Sequence, residues 1–125
     1  MSKTKSKKLG FEELKKGSTI HYIEGTYVFK DENEWKKHYQ EHHDKNVPTV
    51  DFSIEMVIAE YHPVPHQGYK IKINEIIEKP SKLELMVDVN EPKPGKKYIM
   101  VLATGYDIVK TEKIDKKVVS KYNSK

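Results

Sequence analysis

A chain of 125 residues, 36% hydrophobic and 34% charged, can bury one core and no more. It contains no cysteine, which excludes a disulfide framework and a thiolate zinc site. Its formal net charge of +4 comes entirely from lysine and is unevenly placed. Residues 1–16 set six lysines against Glu12 and Glu13, and residues 110–125 set six against Glu112 and Asp115; eleven lysines and fifteen acids lie between. A nucleic-acid binder is expected to carry its basic stripe on the body, with arginine forks. Here the body is acidic, so nucleic acid is an unlikely partner. A binder of nucleic acid or anionic surfaces that works through its basic tails is the alternative reading.

Residues 1–16 read as a lysine-rich tail in which Leu9 to Lys16 forms a short helix stopped by Gly17. A single β domain is expected over 17–119, followed by a tail over 120–125. Thr19–Ile23 and Thr26–Phe29 are rich in β-branched and aromatic residues and predict strands, with Gly25 as the turn. Asp31 is an N-cap with Glu34 three residues on, and Trp35, His38, Tyr39 and His42 recur on one face. These signals predict an amphipathic helix over 32–43. Met56–Ala59 is continuously apolar, as in a central strand covered on both faces.

Tyr69, Ile71, Ile73 and Ile77 alternate with polar residues, as do Leu83, Leu85, Val87 and Val89. A three-residue loop at Lys79-Pro80-Ser81 would pair Ile73 with Val87, Ile71 with Val89 and Ile77 with Leu83. It would also set Lys72 opposite Asp88 and Glu78 opposite Lys82. Pro92 to Gly95 breaks the chain. A buried strand over 98–103, a turn at Thr104-Gly105, a strand over 106–111 and an edge at Val118-Val119 complete the pattern. The fold class expected is mainly β (α+β): an antiparallel sheet or sandwich of six to seven strands with one helix after the first strands.

The chemistry-bearing residues are sparse. His38, His42 and His43 lack the H-E-x-x-H pattern and a companion ligand set, so packing is favoured over metal; a metal-dependent enzyme using the histidines is a further alternative. Neither a nucleophile–base pair nor a phosphate loop stands out, and no catalytic residue, metal or cofactor is assigned. The basic N-terminus leads into no apolar stretch, so the expected location is cytoplasmic as written, or secreted if the sequence has been trimmed. No run is long enough to cross a bilayer.

Val50-Asp51-Phe52-Ser53-Ile54-Glu55-Met56-Val57-Ile58-Ala59 resembles the "VDFSxEMVIA" segment of the PrcB C-terminal domain family. Asn33-Glu34-Trp35 stands where that family begins its helix. Gly68-Tyr69 follows His66-Gln67 where the family has "TGGY", Pro94-Gly95 matches its turn, and Thr104-Gly105-Tyr106-Asp107-Ile108-Val109-Lys110 resembles its "T-x-PY-x-IVK" ending. His66-Gln67 and Gly105 depart from the family pattern. The resemblance implies an accessory subunit that binds a protease. Gly68-Tyr69 alone also looks like a loop of the chagasin-type protease inhibitors. The expected role is a non-catalytic protein-binding module of undetermined oligomeric state. Its expected contact residues are His62, Val64, His66, Gln67, Gly68, Tyr69, Pro94, Gly95, Thr104, Gly105 and Tyr106, on loops at one end of the sheet.

Overall fold

A computed structural model describes residues 6–95, 97 and 101–123. Among them are eight strands and one helix: β1 (Lys7–Leu9), β2 (Phe11–Thr19), β3 (Gly25–Phe29), α1 (Glu32–His42), β4 (Glu55–Val64), β5 (Lys70–Glu78), β6 (Lys82–Asn90), β7 (Ala103–Glu112) and β8 (Lys117–Asn123). They form two four-stranded sheets, in the orders β1-β5-β6-β8 and β2-β7-β4-β3. No helix among the described residues is long and apolar enough to cross a membrane.

Three layers explain the hydrophobic pattern. Met56, Ile58 and Val109 enter a core between the sheets with Ile71, Ile73, Ile76, Leu83, Leu85 and Val87. Val57, Ala59, Tyr61 and Ile108 point the other way, into a second core under α1 with Phe29, Trp35 and Tyr39. Strands β4 and β7 are therefore covered on both faces, which is why Met56–Ala59 shows no alternation and is fully buried. The helix begins as its residues dictate, with the Asp31 side chain accepting from the Glu34 N–H at 3.0 Å. Trp35 Nε1 donates to the Pro48 carbonyl at 3.2 Å and ties the helix to the loop that follows it.

Several expectations are corrected. Leu9–Lys16 is not helical: β1 joins β5, the chain crosses at Gly10, and β2 pairs with β7 along its length. Pairing with a buried neighbour overrides the helical preference of Glu-Glu-Leu-Lys-Lys, and the charged residues suit an edge strand. Residues 7–16 are thus not a tail. Nor are 120–123, which lie in β8, an edge strand running parallel to β6. The strand expected over 19–23 ends at Thr19, and the next begins at Gly25, whose φ of 116° makes the turn.

Thr104-Gly105 is not a turn but the interior of β7, and Val101 and Leu102 are exposed. Ala103 opens β7, and residues 98–100 of the strand expected over 98–103 lie outside the described residues. The β5–β6 hairpin starts in the expected register, with Ile71 opposite Val89, Lys72 opposite Asp88 and Ile73 opposite Val87. A bulge then shifts it between Ile73 and Glu75, so Ile76 meets Leu85, Ile77 meets Glu84 and Glu78 meets Leu83. The extra residue, Asn74, hydrogen-bonds Asp88 from the solvent face.

Candidate functional site

The residues expected to act as loop tips divide into three groups. His62 and Val64 belong to the last turnless stretch of β4; Val64 is buried in the inter-sheet core, and the His62 ring lies against Tyr122 at 4.4 Å. Pro63 is tolerated there because β3 pairs with β4 only as far as Tyr61, leaving one side of the strand free. Thr104, Gly105 and Tyr106 are buried within β7 and present no surface loop. Gly105 packs over Ile71, which a Cβ there would touch at an ordinary contact distance of 3.4 Å. Pro94 and Gly95 are exposed in a turn, with Gly95 at φ 92°.

His66 to Tyr69 forms a compact loop, as expected. His66 Nδ1 accepts from the Gly68 N–H at 3.0 Å, its carbonyl accepts from the Tyr69 N–H at 3.2 Å, and its ring meets the Tyr69 ring edge-on at 4.9 Å. The imidazole is thus the scaffold of the loop. Gln67 projects outward, and with Tyr69 it lines a cleft shared with Lys16, Gly17 and Ser18 of β2.

What the strand register adds is a cluster of exposed apolar side chains beside that loop. Thr19 pairs with Thr104, and Ala103 pairs with Val64, so β2, β7 and β4 reach the same end of the sandwich side by side. The next residues outward are Ile20, 65% exposed, and Leu102, 78% exposed, with Val101 at 52% beyond it. No periodicity marked them, because they lie just outside their strands. Their only sequence signal is being large and aliphatic at a strand end.

The histidines of α1 and its C-cap belong to no group of three His, Cys, Asp or Glu side chains converging to hold an ion among the described residues. They surround a phenol instead. The Tyr61 hydroxyl lies 2.7 Å from His38 Nε2 and 2.8 Å from His43 Nε2. Burial pushes both imidazoles down to about 4; neighbouring His42 adds to the effect on each, and Lys15 on His43. Both are therefore neutral at pH 7. With one proton on the hydroxyl, one imidazole must accept and the other donate, so the two carry opposite tautomers. Burial also raises the Tyr61 phenol. This arrangement pins the C-terminal end of α1 to β4.

Two acids interrupt the apolar runs of the central strands. Glu60 and Asp107 are register partners, each 1% exposed, on the faces of β4 and β7 that look toward the other sheet. They lean apart. Glu60 accepts from Thr26 Oγ1 of β3 at 2.5 Å and from the Tyr122 hydroxyl of β8, so it joins one side of the sandwich. Asp107 Oδ2 accepts from the Ile73 N–H of β5 at 2.8 Å and joins the other, while its Oδ1 is buried without a hydrogen-bond partner among the described residues. Burial raises both carboxyls, Asp107 to about 6.

Five lysines near the chain ends pair with acids on several different elements. Lys8 pairs with Glu75, Lys15 with Asp44, Lys110 with Glu12 and Glu55, Lys116 with Glu78, and Lys121 with Glu84.

Fold and surface together define a two-sheet β-sandwich backed by one helix, with an apolar rim at one end. Residues 57–112, from β4 through β7, match the family model described as PrcB C-terminal, which bears out the resemblance read from the sequence. No curated protein and no solved structure matches the chain.

Proposed function

We propose that this domain is a non-catalytic binding module, associated with a protease, that docks on a protein partner through the sandwich end formed by β2, β4 and β7. The observation that carries the reading is the exposure of Ile20, Val101 and Leu102 at adjacent strand exits. Aliphatic side chains of this size gain about 1.5–3 kcal/mol each on full burial, so a clustered set held in water favours a covering surface. The stiff Pro65 and the self-bonded His66–Tyr69 loop beside them lose little freedom when a partner arrives. The family match supports the protease-associated part of the reading. Relative to the expectation from sequence, the 65–69 loop is retained and Val101–Leu102 replaces Thr104–Tyr106.

The test is site-specific photocrosslinking in cells of the source organism. A photoreactive residue at Leu102 is expected to yield an adduct containing a protease or a subunit of its complex. The adduct should disappear when Ile20 and Val101 are changed to Ser, with an unchanged circular dichroism spectrum. The same adduct in equal yield from a probe at Glu41, on the far helix face, would overturn the assignment of the surface.

A further inference from the structure

A second feature, at the side of the helix, is of a different chemical kind. Tyr22, Ile23, Glu24, Tyr27 and His42 line an open cleft of about 530 Å³ between the turn entering β3 and the C-terminal end of α1. The turn is anchored below by Ile23, which is buried in the helix-side core, and is shaped by the positive φ of Gly25. Tyr27 is held rigidly. Its ring stacks along Phe29, lies 5.4 Å from the His38 ring and meets Tyr61 edge-on at 5.7 Å, yet the residue stays 37% exposed. Tyr22 is largely exposed and donates its hydroxyl to the Glu24 carboxylate. In a chain where lysine outnumbers acid, Glu24 makes no ion pair among the described residues.

We propose that this cleft binds an organic ammonium group, seated on the faces of Tyr22 and Tyr27 with Glu24 as its counter-ion. Each part of that chemistry is present. Tyrosine faces attract a cation through the ring quadrupole, and a carboxylate at the rim with no ion-pair partner among the described residues adds a charge that a neutral ligand would not use. A cation arriving here keeps one side in water, so the site suits a group whose charge is spread over carbon, such as a methylated amine, or the end of a lysine side chain. Two sources share this chemistry: a lysine presented by a protein and a free quaternary amine. The inference does not depend on the docking end proposed above.

The experiment is a titration of the ¹⁵N-labelled full chain, followed by amide shifts, with tetramethylammonium chloride, with Nα-acetyl-lysine methylamide and with tert-butanol as the neutral isostere. Saturable shifts at residues 22–27 and His42 are expected with the two cations. Glu24→Gln should weaken them about 3-fold or more while leaving the rest of the spectrum in place, and Tyr27→Leu should weaken them similarly. Tighter binding of the lysine derivative assigns the source to a protein side chain; tighter binding of tetramethylammonium assigns it to a free amine. Equal shifts with tert-butanol, shifts that never saturate, or an unaltered response in Glu24→Gln would overturn the proposal.

Discussion

Asp107 offers the sharpest test of how the interior is built. Its carboxyl is 1% exposed, takes one hydrogen bond from Ile73, and leaves Oδ1 without a hydrogen-bond partner among the described residues. Burial is the main cause of its rise from 3.8 to about 6; Glu13 pushes the same way, while the Ile73 N–H, Lys16 and Lys72 oppose it. A carboxyl whose folded value lies above its unfolded one stabilises the fold most when protonated. That contribution is complete below about 3.8 and is lost as pH rises through about 6. A shift of this size corresponds to about 3 kcal/mol. Asp107→Asn keeps an acceptor for Ile73 and abolishes the titration, at the cost of burying an amide N–H₂. That cost is the same at every pH, so the decisive quantity is how the difference between the two proteins changes with pH. Urea unfolding between pH 4 and pH 8 should show the variant gaining on the parent by about 3 kcal/mol as pH rises, nearly all of it between 4 and 7. Parallel curves would refute the reasoning, because they would mean that the carboxylate is solvated in the folded state.

Other consequences are equally direct. His38 and His43, held down to about 4, stabilise the fold above their ordinary value of 6.5, and that stability is lost as pH falls through about 4; acid unfolding should therefore begin below pH 6.5, and His43→Asn should make the decline shallower in a circular dichroism titration. Tyr61→Phe leaves both imidazole nitrogens without their shared partner and should cost about 1–3 kcal/mol in denaturant unfolding at pH 7. Gly25→Ala places a side chain at φ 116° and should cost about 1–2 kcal/mol by the same measurement, although no atom crowds the new Cβ. Deleting Asn74 removes only the bulged residue and preserves every pairing after it, whereas deleting Lys72 turns Ile73 outward and Asn74 inward; the second deletion should be more destabilising by about 2 kcal/mol or more in thermal unfolding.

The fold was legible where one local signal sufficed. The Asp31 cap and the Trp35–Tyr39 face fixed the helix, and the unbroken Met56–Ala59 run marked a strand with two covered faces. The hairpin register was right up to Ile73 and then wrong. Alternation carries phase only while no residue is inserted, and Ile76 and Ile77 are equally apolar candidates for the core. Leu9–Lys16 misled because helix propensity is read locally, whereas its pairing with β7 is about a hundred residues distant. At the candidate site, the Gly68-Tyr69 loop could be found from its glycine and prolines. The apolar rim could not, since Ile20 and Leu102 become neighbours only through the Thr19–Thr104 pairing. Nothing local in the sequence marks Tyr61, yet the packing of α1 makes it the partner of two histidines.

The short link at Gly10 has a kinetic consequence. One stretch, residues 7–19, gives a strand to each sheet, and its main partner, β7, follows only after β3, α1, β4, β5 and β6 in chain order. The β5–β6 hairpin can form as soon as it exists, but neither sheet can be completed from its own contiguous segment, and closure must wait until β7 and β8 have been synthesised. Until then the edge of β4 that β7 will pair with remains open to other chains. Slow, late assembly is thus built into the topology, and a partner able to shelter β4 during that interval would act on yield before it acted on activity.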